Sequence, residues 1–586
     1  MKFRVWAPFA ATVDLVLPPA EQPVPMRCHR DGWWEVEAPD AEHGTDYWFS
    51  VDSGKPLKDP RSPWQPYGVH GPSRVFDADR HRWRASWAGR DVLGAVWYEL
   101  HIGTFTPEGT LDAAAEHLGE LVDLGVDVVE LMPLAAFEGR RGWGYDGVDL
   151  YAVHDAYGGP AALQRFVDAC HARGIAVCLD VVYNHLGPAG NYLSAFGPYF
   201  TESHQTPWGA AVNLDDTGHV QVRRWIVDNA LRWFTDFRVD ALRLDAVHEL
   251  VDTSRQHLLS QLSEATAALA ARLGRPLTLV AESDLNDADM VEPTAEGGCG
   301  MAAQWADDVH HAVHALVTGE TDGYYVDFGT VDTLAHALRR VFVHEGGPST
   351  FRGVPWGRPV DPARHRGHRF VAYTQTHDQV GNRALGERLA ALAPLDRCAA
   401  AAAVLLTSPF TPMLFMGEEW AASTPWQFFT DFDADLGGKV RDGRRAEFSR
   451  HGWDAIAVPD PQDGTTRDAS TLRRDERRLP PHERMLAWYR DLIALRRAEP
   501  DLRADDLGAV RVTTGPGSDV VGRGWLVVHR GAFDVLVNLT GGPATLPCPD
   551  GAVPVLGWSP ADRITRADGG LRLPTDGAVV VRRPIT

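Results

Sequence analysis

Long apolar runs are missing from this chain. A membrane-spanning helix needs about 18 or more consecutive apolar residues, and no such stretch occurs. The richest, from Cys398 to Met416, is interrupted by Thr407, Ser408, Pro409 and Pro412. Cysteine is scarce and scattered, with six residues at positions 28, 170, 178, 299, 398 and 548 and no CxxC or other zinc-type spacing. Buried free thiols are expected, and with them a cytoplasmic location. Met1-Lys-Phe-Arg-Val-Trp-Ala-Pro8 has no apolar h-region, so no secretory signal is expected. Positive charge is short, with 57 Lys and Arg against 79 Asp and Glu for a net charge of −22. That balance argues against nucleic acid as a partner, since phosphate binding needs a basic face. The chain carries neither G-x-x-x-x-G-K-[ST] nor a G-x-G-x-x-G after a strand-like run, which argues against nucleotide binding.

What is present is ample apolar material and many indoles. The 586 residues are 44% hydrophobic, enough for several domains, and include 20 tryptophans, which pack cores and can also stack on sugar rings. Residues 1–90 alternate apolar and polar in short runs (Phe3–Trp6, Thr12–Leu17, Gly32–Glu37, Thr45–Val51) and predict an immunoglobulin-like β-sandwich. Pro56 to Pro72 is rich in Pro and Gly and predicts a linker lying on the next domain. Over residues 91–503 the rhythm changes to strand alternating with helix. Strand-like runs start near Ala95, Val126, Ile175, Ala241, Leu277, Gly300, Arg369 and Pro412. Eight such runs predict a closed (β/α)8 barrel, an α/β catalytic domain with loop insertions. Residues 504–586 return to short strands with Gly/Pro turns and predict a second β-sandwich.

Four segments lie at or just past the ends of strand-like runs: Asp180-Val-Val-Tyr-Asn184-His185, Arg243-Leu-Asp245-Ala-Val-His248, Glu282 after Leu277 to Ala281, and His377-Asp378-Gln379. In such barrels the chemistry sits at the C-terminal strand ends. Side chains alternate across a strand, so Arg243 and Asp245 share a face, where the guanidinium can aim the carboxylate. Glu282 has no cation in its own segment, and an apolar setting would keep it protonated as an acid. A retaining glycosidase needs two carboxyls about 5–5.5 Å apart, and adjacent strands roughly 4.8 Å apart can supply that spacing. Asp378 is a third acid, suited to bonding sugar hydroxyls and stabilising an oxocarbenium-like transition state. His185 and His377 are donors to sugar hydroxyls. Arg238-Val-Asp240 copies the Arg243/Asp245 spacing, but the apolar strand and the following His248 favour the second pair. Asp240 is expected at the opposite end of the strand.

These segments resemble the four signature regions of the α-amylase superfamily of retaining α-glucan enzymes. The resemblance implies Asp245 as nucleophile, Glu282 as acid/base and Asp378 as the third, transition-state acid. It implies Arg243, His185 and His377 around the −1 sugar, Asp180 bracing the arginine, and Tyr145 of Gly142-Trp-Gly-Tyr-Asp-Gly147 as the platform beneath that sugar. Within the superfamily, Phe237 to Glu249, Gln375 to Ala384, Phe415 to Asp431, Trp97 to Phe105 and Gln304 to His311 look like the trehalohydrolase branch. That branch cleaves the α-1,4 bond next to the terminal trehalose of maltooligosyl trehalose, and its usual neighbour is maltooligosyl trehalose synthase, in trehalose biosynthesis. Phe3 to Pro8 looks like the glucan-associated β-sandwich that branching enzymes also carry. Asn184 matches an asparagine that binds calcium in many amylases, yet the insertion after it is short, and neither an obligatory metal nor a cofactor is expected.

Candidates for the trehalose side of the cut are His248, Glu249, Gln379, Asn382, Arg383, Glu418, Glu419 and Trp420, with Trp143 and Trp208 adding stacking. The acidic loops Asp215-Asp216 and Asp431 to Asp435 are expected to face solvent or sugar hydroxyls. A glucan branching enzyme or other α-1,4-glucan transglycosylase would use the same acids and is the nearest alternative. A catalytically inactive glycan-binding protein is the alternative of another class.

Overall fold

The computed structural model describes residues 1–18, 23–450 and 458–584, with the side chains of 449 and 450 left aside. At its centre eight parallel strands close into a barrel. In chain order these are β1 (Trp97–Leu100), β2 (Val128–Leu131), β3 (Ala176–Val181), β4 (Ala241–Leu244), β5 (Thr278–Ala281), β6 (Ala303–Trp305), β7 (Phe370–Tyr373) and β8 (Thr411–Phe415). All eight are buried along their whole length, which is why they read as continuous apolar runs rather than as alternation.

The period of two sorts the inward-facing residues into layers. Trp97, Val128, Ala176, Cys178, Ala241, Val280, Ala303, Trp305, Val371, Tyr373 and Met413 pack into one apolar cluster inside the barrel. One step further toward the C-terminal end the same faces carry charge: Glu99 on β1, Glu130 on β2, Asp180 on β3 and Arg243 on β4, with Glu282 just past β5. Register fixes this layer, since Glu99 pairs with Glu130 and Asp180 with Arg243. Asp240 sits at the other end of β4, as expected. It accepts from Trp87 Nε1 at 2.7 Å and the Val177 amide at 2.9 Å, and bonds His171 Nε2 at 2.9 Å.

Outer helices include Gly159–His171, His219–Asp236, Leu258–Leu273, Asp307–Thr318, Leu395–Thr407 and Pro480–Ala498. Between β5 and β6 the described chain forms only two short 3-10 turns, Ala288–Met290 and Thr294–Glu296, so one barrel helix is replaced. The helix after β4 starts at Leu258. The Asp252 carboxylate receives the Leu258 amide at 2.6 Å and Arg223 Nη1 at 2.8 Å, and so holds the preceding loop against the next helix. No helix among the described residues is long and apolar enough to cross a membrane.

On the N-terminal side, Lys2–Trp6, Trp33–Glu37 and Arg27–Cys28 form one antiparallel sheet. Val13–Val16, Val24–Pro25, Asp46–Val51 and Ser73–Arg74 form another. Lys58 of the Pro/Gly-rich stretch is buried against barrel residue Asp149 at 2.7 Å. On the C-terminal side a five-stranded sheet (Arg511–Thr514, Trp525–Arg530, Phe533–Asn538, Ala578–Arg582, Val553–Gly557) pairs with a three-stranded one (Ala544–Pro547, Gly570–Leu573, Thr565–Ala567). Arg397–Asp576 at 3.1 Å and Trp558 Nε1 donating to Asp396 at 2.7 Å tie these sheets to the barrel.

Candidate active site

The charged layer at the top of the barrel is wired into one hydrogen-bonded chain. Glu99 accepts from the His377 amide at 3.0 Å and binds its Nδ1. His377 Nε2 lies 2.8 Å from Tyr145 Oη, and that hydroxyl donates to Asp180 at 2.7 Å. Asp180 takes Arg243 Nη1 at 2.9 and 3.0 Å, and the same nitrogen donates to Asp245 at 2.8 Å. Glu282 comes within 3.7 Å of Arg243 Nη2 and accepts from the amide of Ala246, the residue after Asp245. Both acids expected to act on the bond therefore touch one guanidinium, on neighbouring strands. Ala246 holds φ +37° and ψ +54°, a left-handed backbone that a residue with a side chain adopts at a cost. That turn presents its amide to Glu282.

Burial sets the electrostatics. It raises the Glu282 carboxyl well above the usual range, against the pull of Arg243, with Asp245, Asp307 and Asp378 adding like charge. The sequence pointed to a protonated Glu282 through the lack of a cation, whereas the cation is present and desolvation outweighs it. Burial pushes Asp180 up to about 6, with Arg243 and the Tyr145 hydroxyl opposing. For His377 burial disfavours the charge, but the Glu99 carboxylate overcomes it and the imidazole is raised. Glu130 is fully buried, and desolvation together with Glu99 and Asp180 raises it well above its usual value, against Arg243 and the Cys178 thiol. Arg243 and His377 thus share one buried layer with Asp180, Glu99 and Glu130.

Asp378 stands exposed at the mouth and accepts Asn382 Nδ2 at 2.6 Å. His185, buried, carries the half-exposed Trp208 stacked on its ring at 4.1 Å and 5°. The hairpin Phe200–Thr206/Gly209–Val212 presents that indole. His248 and Glu249 lie on the short turn Val247–Glu249 after β4, partly exposed. Asn382 and Arg383 line a recess of about 620 Å³ with Glu320, Asp322, Tyr324, Tyr325 and Phe448. There Glu320 grips Arg383 at 2.8 and 2.9 Å. Among the described residues no group of three or more His, Cys, Asp or Glu side chains is placed to hold a metal ion, and Asn184 is buried.

Several expected contacts are displaced into the scaffold. Trp420 is 1% exposed, with Arg477 over its ring and its carbonyl bonded to His482, because the helix Pro480–Ala498 closes over the turn after β8. Glu419 is buried on the Tyr98 hydroxyl at 3.0 Å. Glu418 accepts from Thr374 Oγ1 at 2.6 Å and the Tyr489 hydroxyl at 2.8 Å. Gln379 spends its amide oxygen capping the turn at Thr376. Trp143 backs His377, stacked on Trp426 at 5.6 Å, rather than opening to the mouth. Of the acidic loops, Asp216, Asp433 and Asp435 are exposed to solvent as expected, while Asp215 and Asp431 are partly buried and engaged by His204 and Thr253 and by Arg141. Trp420→Ala should accordingly act on stability, by about 3–5 kcal/mol. Thermal unfolding would show a large drop in Tm with KM of the surviving enzyme unchanged; a raised KM at constant Tm would restore Trp420 to the sugar side.

Residues not singled out from sequence are Glu99, Glu130, Trp305, Tyr373 and Asp307. Trp305 lies 4.3 Å from the Arg243 guanidinium. The available signal for the first two was a lone acid inside an otherwise apolar strand, Trp97-Tyr-Glu-Leu100 and Val128-Val-Glu-Leu131.

Comparison with known proteins agrees with this architecture. The family model "Alpha amylase, catalytic domain" matches residues 72–205, and "Carbohydrate-binding module 48 (Isoamylase N-terminal domain)" matches residues 1–65. A solved structure of a putative alpha amylase from Salmonella typhimurium superposes with a TM-score of 0.89 at 37% identity, covering 99% of this chain and 97% of that one. Barrel and sequence together define an α-amylase-type glycoside hydrolase. A malto-oligosyltrehalose trehalohydrolase from Arthrobacter ramosus is 50% identical across 99% of both chains, and one from Mycobacterium tuberculosis is 48% identical across 93% of this chain and 94% of its own. This chain belongs to the malto-oligosyltrehalose trehalohydrolase family.

Proposed function

We propose that the chain hydrolyses the α-1,4-glucosidic bond next to the terminal trehalose of maltooligosyl trehalose, releasing trehalose and a shortened maltooligosaccharide. The observation that carries the mechanism is the continuous chain from Glu99 to Asp245, with Glu282 against the same guanidinium. Asp245, aimed by Arg243, attacks the anomeric carbon of the −1 glucose. Glu282 gives its proton to the glycosidic oxygen as trehalose leaves. Glu282 then takes a proton from water, which attacks the glucosyl–Asp245 ester and restores both acids, with net retention. Asp378 and His185 hold ring hydroxyls, and His377 fixes Tyr145 as the platform beneath the sugar.

Past the cut, the recess beside Asp378 gives Asn382 and Arg383 as polar contacts and Tyr324 as an aromatic wall, in a volume usual for small-ligand sites. His248, Glu249 and Trp208 complete the rim. Three units carry this out: a β-sandwich at 1–90, the barrel at 91–503 and a β-sandwich at 504–586. Because the substrate already contains an α,α-1,1 linkage, the reaction follows a maltooligosyl trehalose synthase, and we place both in the cytoplasm.

Product analysis with maltopentaosyl trehalose against maltoheptaose tests this. Trehalose release should exceed maltoheptaose cleavage by roughly 10-fold or more in kcat/KM. Equal cleavage would reduce the protein to a general amylase, branching of amylose would make it a transglycosylase, and binding with no hydrolysis would make it a glycan-binding protein.

A further inference from the structure

We propose that Glu320 is a positioning residue for substrate selection: it fixes the Arg383 guanidinium across the recess beside Asp378, so that the arginine meets the hydroxyls of the departing trehalose in one orientation. This rests on the reading of that recess as the trehalose side of the cut.

The helix Asp307–Thr318 ends at Gly319, whose φ of +81° is left-handed backbone that suits glycine. The chain turns there into Glu320, whose amide donates to Thr318 Oγ1 at 3.1 Å. The Glu320 carboxylate is then held from two sides. On the barrel side, buried His314 on the last turn of the helix meets Oε2 with its Nε2 at 2.7 Å. His314 is stacked on the Tyr325 ring at 4.5 Å and 14°. The Tyr325 hydroxyl lies 3.0 Å from His310 Nε2, and His310 Nδ1 donates at 2.8 Å to the carbonyl of Thr374, just past β7. On the recess side, Arg383 donates Nη2 to Oε1 at 2.8 Å and Nη1 to Oε2 at 2.9 Å. That is the two-pronged fit of a planar fork to a carboxylate. The hydrogen bond from His314, with Arg383 beside it, holds the Glu320 carboxyl at about 2 despite burial.

A guanidinium carries five N–H groups. In Arg383 two of them go to Glu320, and Nε faces Glu387 Oε2 at 3.4 Å. One N–H on each Nη is left for the recess, which Arg383 lines together with Asn382, Tyr324 and Tyr325. The neighbouring Asn382 donates Nδ2 to Asp378 at 2.6 Å, which ties the recess to the third acid of the site. An arginine tethered along one edge is already ordered when the sugar arrives, whereas a free one has to be ordered on binding, at a cost in affinity. The pair adds little to stability. Both partners keep contact with solvent, with 20% and 32% of their side chains exposed, and ion pairs of that kind are worth little.

The test compares kcat and KM on maltopentaosyl trehalose and on maltoheptaose for the wild type, Glu320→Ala, Glu320→Gln, Arg383→Ala and the Glu320→Ala/Arg383→Ala double variant, with Tm measured beside them. Preference is the ratio of the two kcat/KM values. Glu320→Ala should lower it by roughly 10-fold, mainly through KM on the trehalose-ended substrate. Glu320→Gln, which fills the same volume and keeps one of the two acceptors, should fall between. Arg383→Ala should cost at least as much, and the double variant no more than Arg383→Ala, because both act through one group. An unchanged preference in Glu320→Ala, an equal loss on both substrates, or losses that multiply in the double variant would overturn the proposal. If Arg383→Ala also leaves the preference unchanged, the recess is not the trehalose side and that reading fails with it. If Arg383→Ala lowers the preference and Glu320→Ala does not, only the role of Glu320 falls.

Discussion

Asp245→Asn is expected to lower kcat by roughly 10⁴-fold or more, the scale seen when a covalent nucleophile is removed, while leaving Tm within a few degrees. The amide keeps the shape of the carboxyl but cannot attack the anomeric carbon. Stability should survive because Arg243 retains Asp180 at 2.9 and 3.0 Å on the opposite side. Circular dichroism and thermal unfolding, run beside trehalose release, separate the two effects. Activity within tenfold of the wild type would remove Asp245 from the reaction.

The second large effect concerns Arg243. It is 2% exposed and reaches three acids, Asp180, Asp245 and Glu282. Arg243→Ala would leave Asp180 buried and unpaired and should destabilise the protein by about 3–5 kcal/mol, besides abolishing turnover. Arg243→Lys is the sharper variant. An ammonium is a compact point charge, whereas the guanidinium fork spans neighbouring carboxylates. Lysine should recover much of the Tm and little of the kcat. Recovery of both would mean that charge alone, without the planar fork, aligns the acids.

Much of the barrel was legible because parallel strands buried on both faces must be apolar throughout. The residues that break those runs at Asp180, Arg243 and Glu282 stand out for the same reason. β6 was the faintest strand, since only Ala303–Trp305 is extended and no helix precedes it. The C-terminal strands Ala544–Pro547, Val553–Gly557 and Thr565–Ala567 are hard to read from sequence because little of their surface is buried and no clean alternation marks them. Glu99 breaks an apolar strand in the same way, but its role is tertiary, because its partner His377 lies 278 positions away. Trp420 and Glu419 illustrate the reverse error. The turn after β8 is where a sugar contact belongs by topology, but the helix Pro480–Ala498 covers it.

The most direct measurement is to trap the intermediate. Wild-type protein is incubated with a slowly turned-over fluorinated α-glucosyl fluoride, digested, and its peptides weighed. One glycosyl adduct should appear on the peptide bearing Asp245, vanish in Asp245→Asn, and accompany release of the α-anomer as first product in normal turnover. An adduct on Asp378 or Asp240, or a β-anomeric first product, would contradict the account.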